Sequence, residues 1–343
     1  MRELVEELAS EACAGRAPGT AGGRRARALV VDALRDAGLD PDEQPIPKIG
    51  GANVLATLPG RDVDRWILVA AHYDHLGQEP DGTIYAGADD NAAAVSVLVE
   101  TARRLTATRP DGRGVIFASF DAEEPPHFLS PQMGSEFWLR HPTVDPDAID
   151  LAIVMDLVGH DLGGERLPTE VRKSLLCLGA ERSEGTAESL AELAPEPGLH
   201  VRPMDAEIVP PLSDHHGFWK RERPFLFLTG GRSARYHTAA DVAEHVPSDR
   251  LEATASWLER VVRTQCARDE APFAFRRGRH DVSTLDTLAD VLEALAPLSD
   301  DAAMGLALTR QLRGRVDRSG RLGDRAYGEL KQLVEMVETG LEG

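Results

Sequence analysis

Histidines and acids gather at a few places along this chain. His72-Tyr73-Asp74-His75 follows the apolar run Ile67-Leu68-Val69-Ala70-Ala71. Asp121-Ala122-Glu123-Glu124 follows Val115-Ile116-Phe117-Ala118-Ser119-Phe120, and Asp156 closes Leu151-Ala152-Ile153-Val154-Met155. Tyr236-His237-Thr238 comes some distance after Phe225-Leu226-Phe227-Leu228, and Gly87-Ala88-Asp89-Asp90-Asn91 opens a helical stretch. Imidazole and carboxylate donors suit divalent zinc, with cobalt or manganese able to occupy similar sites. Singly, each cluster has a plainer reading. A histidine at a strand end is commonly hydrogen-bonded in the core, Asp89 and Asp90 suit a helix cap, and paired glutamates are commonly solvated. Their joint position behind successive apolar strands points to one metal-binding edge.

Buried apolar strands alternating with helical stretches predict an α/β fold, a mixed, mostly parallel central sheet flanked by helices. In an open sheet of that kind, ligands bind outside the carboxyl ends of the strands, where the five segments would meet. Ser174-Leu175-Leu176-Cys177-Leu178 is a further candidate strand. Helical spacing is expected over 20–37, with Gly38 as a stop, and over 91–105 and 187–193. The composition shifts at Arg276-Arg277-Gly278-Arg279, and three helical patterns follow over 284–295, 300–312 and 324–341. The expected division is a catalytic domain over 1–270 and a C-terminal helical appendage over 271–343. The appendage would serve as packing, as a lid, or as the contact of a homodimer.

The 343 residues are 42% hydrophobic and 28% charged, enough apolar content for a substantial core. Against 38 Lys+Arg stand 57 Asp+Glu, a net charge of −19. That excess speaks against binding nucleic acid or an anionic membrane, both of which would be repelled. No apolar run approaches a membrane span, and the first residues do not read as a signal peptide. Cys13, Cys177 and Cys266 form no C-x-x-C pair and read as structural thiols, consistent with a cytoplasmic protein. Ser213-Asp214-His215 is no serine triad, because consecutive residues cannot adopt that geometry.

The order of motifs resembles the M28 family of metallo-aminopeptidases, the zinc-exopeptidase-like di-zinc enzymes. The segments that carry the resemblance are His72-Tyr73-Asp74-His75-Leu76-Gly77, Gly87-Ala88-Asp89-Asp90-Asn91, Glu123-Glu124, Met155-Asp156, Ser213-Asp214-His215 and Tyr236-His237-Thr238. Gly15-Arg16-Ala17-Pro18-Gly19-Thr20 resembles the family's opening. The resemblance implies two zinc ions. His72 and Asp156 would hold one, Glu124 and His237 the other, and Asp90 would bridge them ahead of a cis Asp90–Asn91 bond. Glu123 would be the general base and Tyr236 the donor to the oxyanion. Asp74 would orient His72, and Asp241 would steady the His237 loop.

Two departures bear on substrate choice. Pro125-Pro126-His127-Phe128-Leu129-Ser130-Pro131-Gln132-Met133 replaces a short turn after the glutamates, and Ala92-Ala93-Ala94 follows the bridging acid. His127 reads as a pocket or surface residue. The implied activity is aminopeptidase hydrolysis of a peptide or amino-acid derivative. The alternatives are a carboxypeptidase or dipeptidase of the same fold, a glutaminyl-cyclase-like acyltransferase, and a non-catalytic binding module.

Overall fold

The apolar runs become strands buried on both faces, as parallel strands under helices require. The computed structural model describes residues 1–61, 64–211 and 213–342. The first strands are β1 (Asp42–Ile46), β2 (Gly51–Leu58) and β3 (Trp66–His72), followed by a small hairpin of β4 (Gly77–Gln78) and β5 (Ile84–Tyr85). The rest are β6 (Gly114–Phe120), β7 (Ile149–Met155), β8 (Ser174–Leu178), β9 (His200–Met204) and β10 (Phe225–Thr229). Eight of them form one sheet in the order β1-β2-β6-β3-β7-β10-β8-β9. Pairing is parallel from β6 through β3 and β7 to β10, and again between β8 and β9. It is antiparallel for β1–β2, β2–β6 and β10–β8, so the sheet is mixed and mostly parallel, as expected.

The helices are α1 (Arg2–Leu8), α2 (Ala21–Asp36), α3 (Ala94–Ala107), α4 (Gly134–Arg140), α5 (Thr169–Arg172) and α6 (Thr186–Ala191). They continue as α7 (His215–Lys220), α8 (Ser248–Ala267), α9 (Asp281–Leu295), α10 (Asp300–Arg313) and α11 (Asp324–Glu342). On one face of the sheet, Val30 and Leu34 of α2, Val95 and Leu98 of α3, and Leu258 and Val262 of α8 share a core with Val69, Phe117 and Ile153. On the other, Trp138 of α4 and Phe218 of α7 join Leu288 and Leu292 of α9, Leu312 of α10 and Leu330 of α11 over Leu68, Val154 and Phe227. The last three helices therefore bury leucines in the core on this face, with α9 against β9 and α10 packed on α9.

α2 starts where Thr20 Oγ1 accepts the Gly23 N–H at 3.0 Å, an N-cap. α3 begins later than its sequence pattern, because Ala88–Ala93 form a widened turn in which Asp90 and Asn91 leave helical dihedrals. The pattern reading missed β1, β2, β9 and the 20-residue α8. Strands β1 and β9 carry Pro45 and Pro203, tolerated because both lie at the sheet's edges. No helix among the described residues is long and apolar enough to cross a membrane, and Cys13, Cys177 and Cys266 are free and buried.

Candidate metal centre

Strands β6, β3, β7 and β10 run in one direction, so their carboxyl ends share an edge, and that edge collects the acids and imidazoles. His72, the last residue of β3, puts Nε2 3.4 Å from Asp156 Oδ1, just past β7, and 3.5 Å from Asp90 Oδ1. The other oxygen of Asp90, Oδ2, lies 3.3 Å from His237 Nε2 and 3.8 Å from His75 Nδ1. Glu124 meets the same two imidazoles, at 2.8 Å from His75 and 3.2 Å from His237. Two groups of donors result: His72, Asp90 and Asp156, and His75, Asp90 and Glu124. Asp90 belongs to both, and the Asp90–Asn91 bond is cis.

Of the ligands that the resemblance implies, His72, Asp90 and Asp156 make up the first group, and Asp90 and Glu124 fall in the second. His237 lies beside the second group, its Nε2 3.3 Å from Asp90 and 3.2 Å from Glu124. His75 was not singled out as a ligand candidate, although it stands in the same quoted run three residues after His72. Periodicity alone does not reveal it, because the chain has left the strand by then and no alternation rule says where its side chain goes.

The donor set fits a divalent cation. His72 Nε2, His75 Nε2, Asp90 Oδ2 and Asp156 Oδ1 are buried without a hydrogen-bond partner. Orphaned buried groups of this kind are costly unless something else satisfies them. The electrostatics agree. Burial by itself would lower the pKa of His72, yet Glu123 and Asp156 outweigh it and hold the imidazole well above its usual value. At His237, burial likewise works downward, but Asp90 and Glu124 lift the value to about 10. Imidazoles drawn toward protonation report an excess of negative charge, the complement of a metal ion.

Residues 53–262 match the family described as Peptidase family M28. The chain belongs to peptidase family M28. This M28 chain is 27% identical over 249 residues to the Escherichia coli protein YfbL, covering 66% of the chain and 76% of that protein. Its fold is similar to a Zn-dependent exopeptidase from Parabacteroides distasonis, with a TM-score of 0.59, 20% identity, and coverage of 76% of this chain and 96% of the other. It is also similar to Porphyromonas gingivalis glutaminyl cyclase, with a TM-score of 0.60, 22% identity, and coverage of 77% and 96%. Membership makes the chain a metallopeptidase, with zinc as the metal the family suggests.

The M28 edge is held in place by backbone-directed hydrogen bonds. The Asp74 carboxylate accepts the N–H groups of Glu123 and Glu124 at 3.0 and 3.2 Å. Its expected partner, His72 Nδ1, is 3.6 Å from that carboxylate and closer, 3.3 Å, to the Asp74 carbonyl. So Asp74 chiefly fixes the two glutamates. Asp241 likewise does something other than expected. Its carboxylate accepts the N–H groups of Asp89 and Asp90 at 2.9 and 3.0 Å, so it steadies the Asp90 turn, not only its own loop.

Sequence reasoning also missed the part played by Arg16. Fully buried, its guanidinium donates to the carbonyls of Tyr73 at 2.7 Å, Leu8 at 3.2 Å and Asp90 at 3.0 Å, and to those of Ala86 and Gly87. One side chain thus ties the His72 loop to the Asp90 turn. Gly87 sits there at φ 62°, and a Cβ on it would stand 2.3 Å from the Asp90 carbonyl and 2.5 Å from the His75 ring. Only glycine tolerates both the conformation and the approach.

Glu123 lies buried beside the first group, with Oε2 3.9 Å from His72 Nε2 and Oε1 unpartnered. Burial, with the charges of Asp156 and Glu124 added, lifts its pKa well above the usual carboxyl value against the pull of His72. Its neighbour Glu124 goes the other way. Despite burial, hydrogen bonding to His237 and His75 holds it at about 2. The adjacent glutamates therefore shift in opposite directions, burial dominating at Glu123 and two imidazole hydrogen bonds at Glu124.

Tyr236 stacks on His237 with ring centroids 3.8 Å apart, and burial with the nearby carboxylates raises its hydroxyl pKa. Asp214 is buried with both oxygens unpartnered, and burial raises it to about 7. His215 stacks on Phe227 at 4.1 Å, and burial lowers it to about 3, a neutral core imidazole. His127 is half-buried in the insert, where its N–H donates to the Glu124 carbonyl at 2.9 Å.

Proposed function

We propose that this M28 metallopeptidase is a zinc exopeptidase that removes N-terminal residues from peptides, with Glu123 as its general base. The observation that carries the reading is the placement of Glu123: buried, unpartnered at Oε1, with a raised pKa, beside two donor groups that share Asp90. Two zinc ions held by those groups and His237 would supply Lewis acidity, lowering the pKa of water and polarising the scissile carbonyl. Glu123 takes the proton from the attacking water and passes it to the leaving amine. Asp74 fixes the backbone that aims Glu123, and Glu124 is withdrawn from proton transfer by its imidazole partners. Tyr236, at the open side of His237, donates a hydrogen bond to the developing oxyanion.

Similarity to a glutaminyl cyclase favours a second reading, in which the amine of an N-terminal glutamine attacks its own side-chain amide. Digestion of a peptide library by the zinc-loaded protein, read by mass spectrometry, separates the two. Loss of N-terminal residues supports the aminopeptidase. Loss of C-terminal residues assigns a carboxypeptidase, and pyroglutamate with ammonia release sinks hydrolysis in favour of cyclisation.

A further inference from the structure

A cavity of about 150 Å³ opens beside Asp156 and Tyr236 and runs away from the metal edge across the sheet. That is the scale at which a cavity holds a benzene-sized group. Its floor follows one transverse row of the sheet. Leu228 pairs with Met155, so the next residue, Thr229, flanks Asp156; Thr229 pairs with Leu176, and Leu176 with Arg202. At roughly 4.8 Å per strand, three strand spacings put about 14 Å between the Asp156 and Arg202 backbones. The roof is Leu288 and Val291 of α9 with Val334, Val337 and Leu341 of α11, all beyond the part of the chain that matches M28. The walls are overwhelmingly apolar.

Arg202 is the exception. It is 8% exposed, on the edge strand β9, and it lines the cavity. Its guanidinium is held by Ser174 Oγ, which accepts from Nε at 2.6 Å, and by the Glu170 carbonyl, which accepts from Nη2 at 2.7 Å. Among the described residues no carboxylate forms an ion pair with it. Of the other charged residues at this cavity, Arg232 and Glu338 pair with each other at 3.3 Å, and Asp156 belongs to the metal edge. Burial works against the Arg202 charge, Asp290 and Glu170 offset it only from beyond ion-pair distance, and the acceptors that hold the guanidinium are neutral, so an anion at the cavity side would complete it. Guanidinium matches carboxylate geometry better than any other side chain does.

We infer that this cavity is the specificity pocket for a carboxylate carried on an apolar stem, with Arg202 as the anchor for the carboxylate. The carboxylate comes either from an acidic substrate side chain or from the C-terminus of a short peptide. The apolar walls exclude water from the pair, and the roof from α9 and α11 limits how large the stem can be. The inference rests on the peptidase reading for what happens at the metal edge, but the pocket binds without turnover.

The test uses two matched pairs of peptides: Leu-Leu against Leu-Leu-amide, and Glu-Leu-amide against Gln-Leu-amide. Binding is measured by calorimetry on zinc-loaded Glu123→Gln, and kcat/KM on the wild-type chain. One pair is expected to show at least a tenfold preference for the carboxylate form, and the pair that shows it identifies the source. In an Arg202→Met background the preference ratio falls to near one, and Arg202→Lys keeps part of it. A ratio within one preparation does not depend on how much protein is folded. Equal binding within both pairs, or a preference that survives Arg202→Met, overturns the pocket assignment. An Arg202-dependent preference in binding with no hydrolysis by the wild-type chain keeps the pocket and removes the peptidase reading.

Discussion

The metal edge and the far end of the sheet handle buried polarity in opposite ways. At the carboxyl ends of β3, β6 and β7, acids and imidazoles crowd together, and several of their atoms lack partners. Under α9 and α11, the buried Arg202 stands in a largely apolar wall with neutral acceptors behind it. The first arrangement is an excess of negative charge waiting for cations, and the second is a cation waiting for an anion. The first is built mostly from residues at or shortly past strand ends, joined by Asp90 from the turn before α3. The second needs the edge strand β9 and two helices much further along the chain, α9 and α11. The comparison separates a site whose chemistry is local to strand termini from a pocket whose shape is made by long-range packing.

Four substitutions test that separation. The largest effect is expected for Asp90→Ala, which removes the donor common to both groups; elemental analysis should show most of the bound metal lost, and activity with it. Retention of full metal content would break the reading of Asp90 as the shared ligand. Glu123→Gln should keep its metal yet lose at least about 100-fold in kcat, measured on the best library peptide. Arg16→Met leaves every donor in place but unties the His72 loop from the Asp90 turn. Its expected cost is about 10–100-fold in metal affinity, read by competition with a chelator, as for other residues that position ligands. Val337→Ala, on the pocket roof, should give the smallest effect. About 1 kcal/mol of lost apolar contact amounts to about fivefold in KM, with metal content unchanged. Metal loss in that variant would show that the two regions are not separable.

Much of this was legible because strand ends are legible. A continuous apolar run such as Ile67–Ala71 can only be a buried strand or helix, and flanking turns decide between them. Position behind the strands then marks His72, Glu123, Glu124 and Asp156 as candidates, and the family resemblance implies their roles. Leucine stripes over 284–295, 300–312 and 324–341 likewise appear as α9, α10 and α11 almost to the residue. Less was legible where a residue acts through backbone groups of distant segments. Asp74 and Asp241 were assigned to imidazole and loop by proximity in sequence, whereas their carboxylates hold N–H groups 49 to 152 positions away. Arg16 reads as part of an N-terminal motif, and nothing in its neighbours announces five carbonyls.

The amino-acid sequence by itself determined the alternation of strands and helices, the edge at which donors gather, and most of the residues there. Apolar periodicity, a local property, marks the strands and helices, and the family resemblance implies the roles of the donors behind them. Tertiary structure alone decided that His75 joins the second group, that Arg16 and Asp241 hold the Asp90 turn, and that α9 and α11 roof a pocket ending at Arg202. Those contacts join segments far apart in the chain, and their partners are carbonyls and N–H groups that every residue carries. Only the folded path of the backbone says which of them meet.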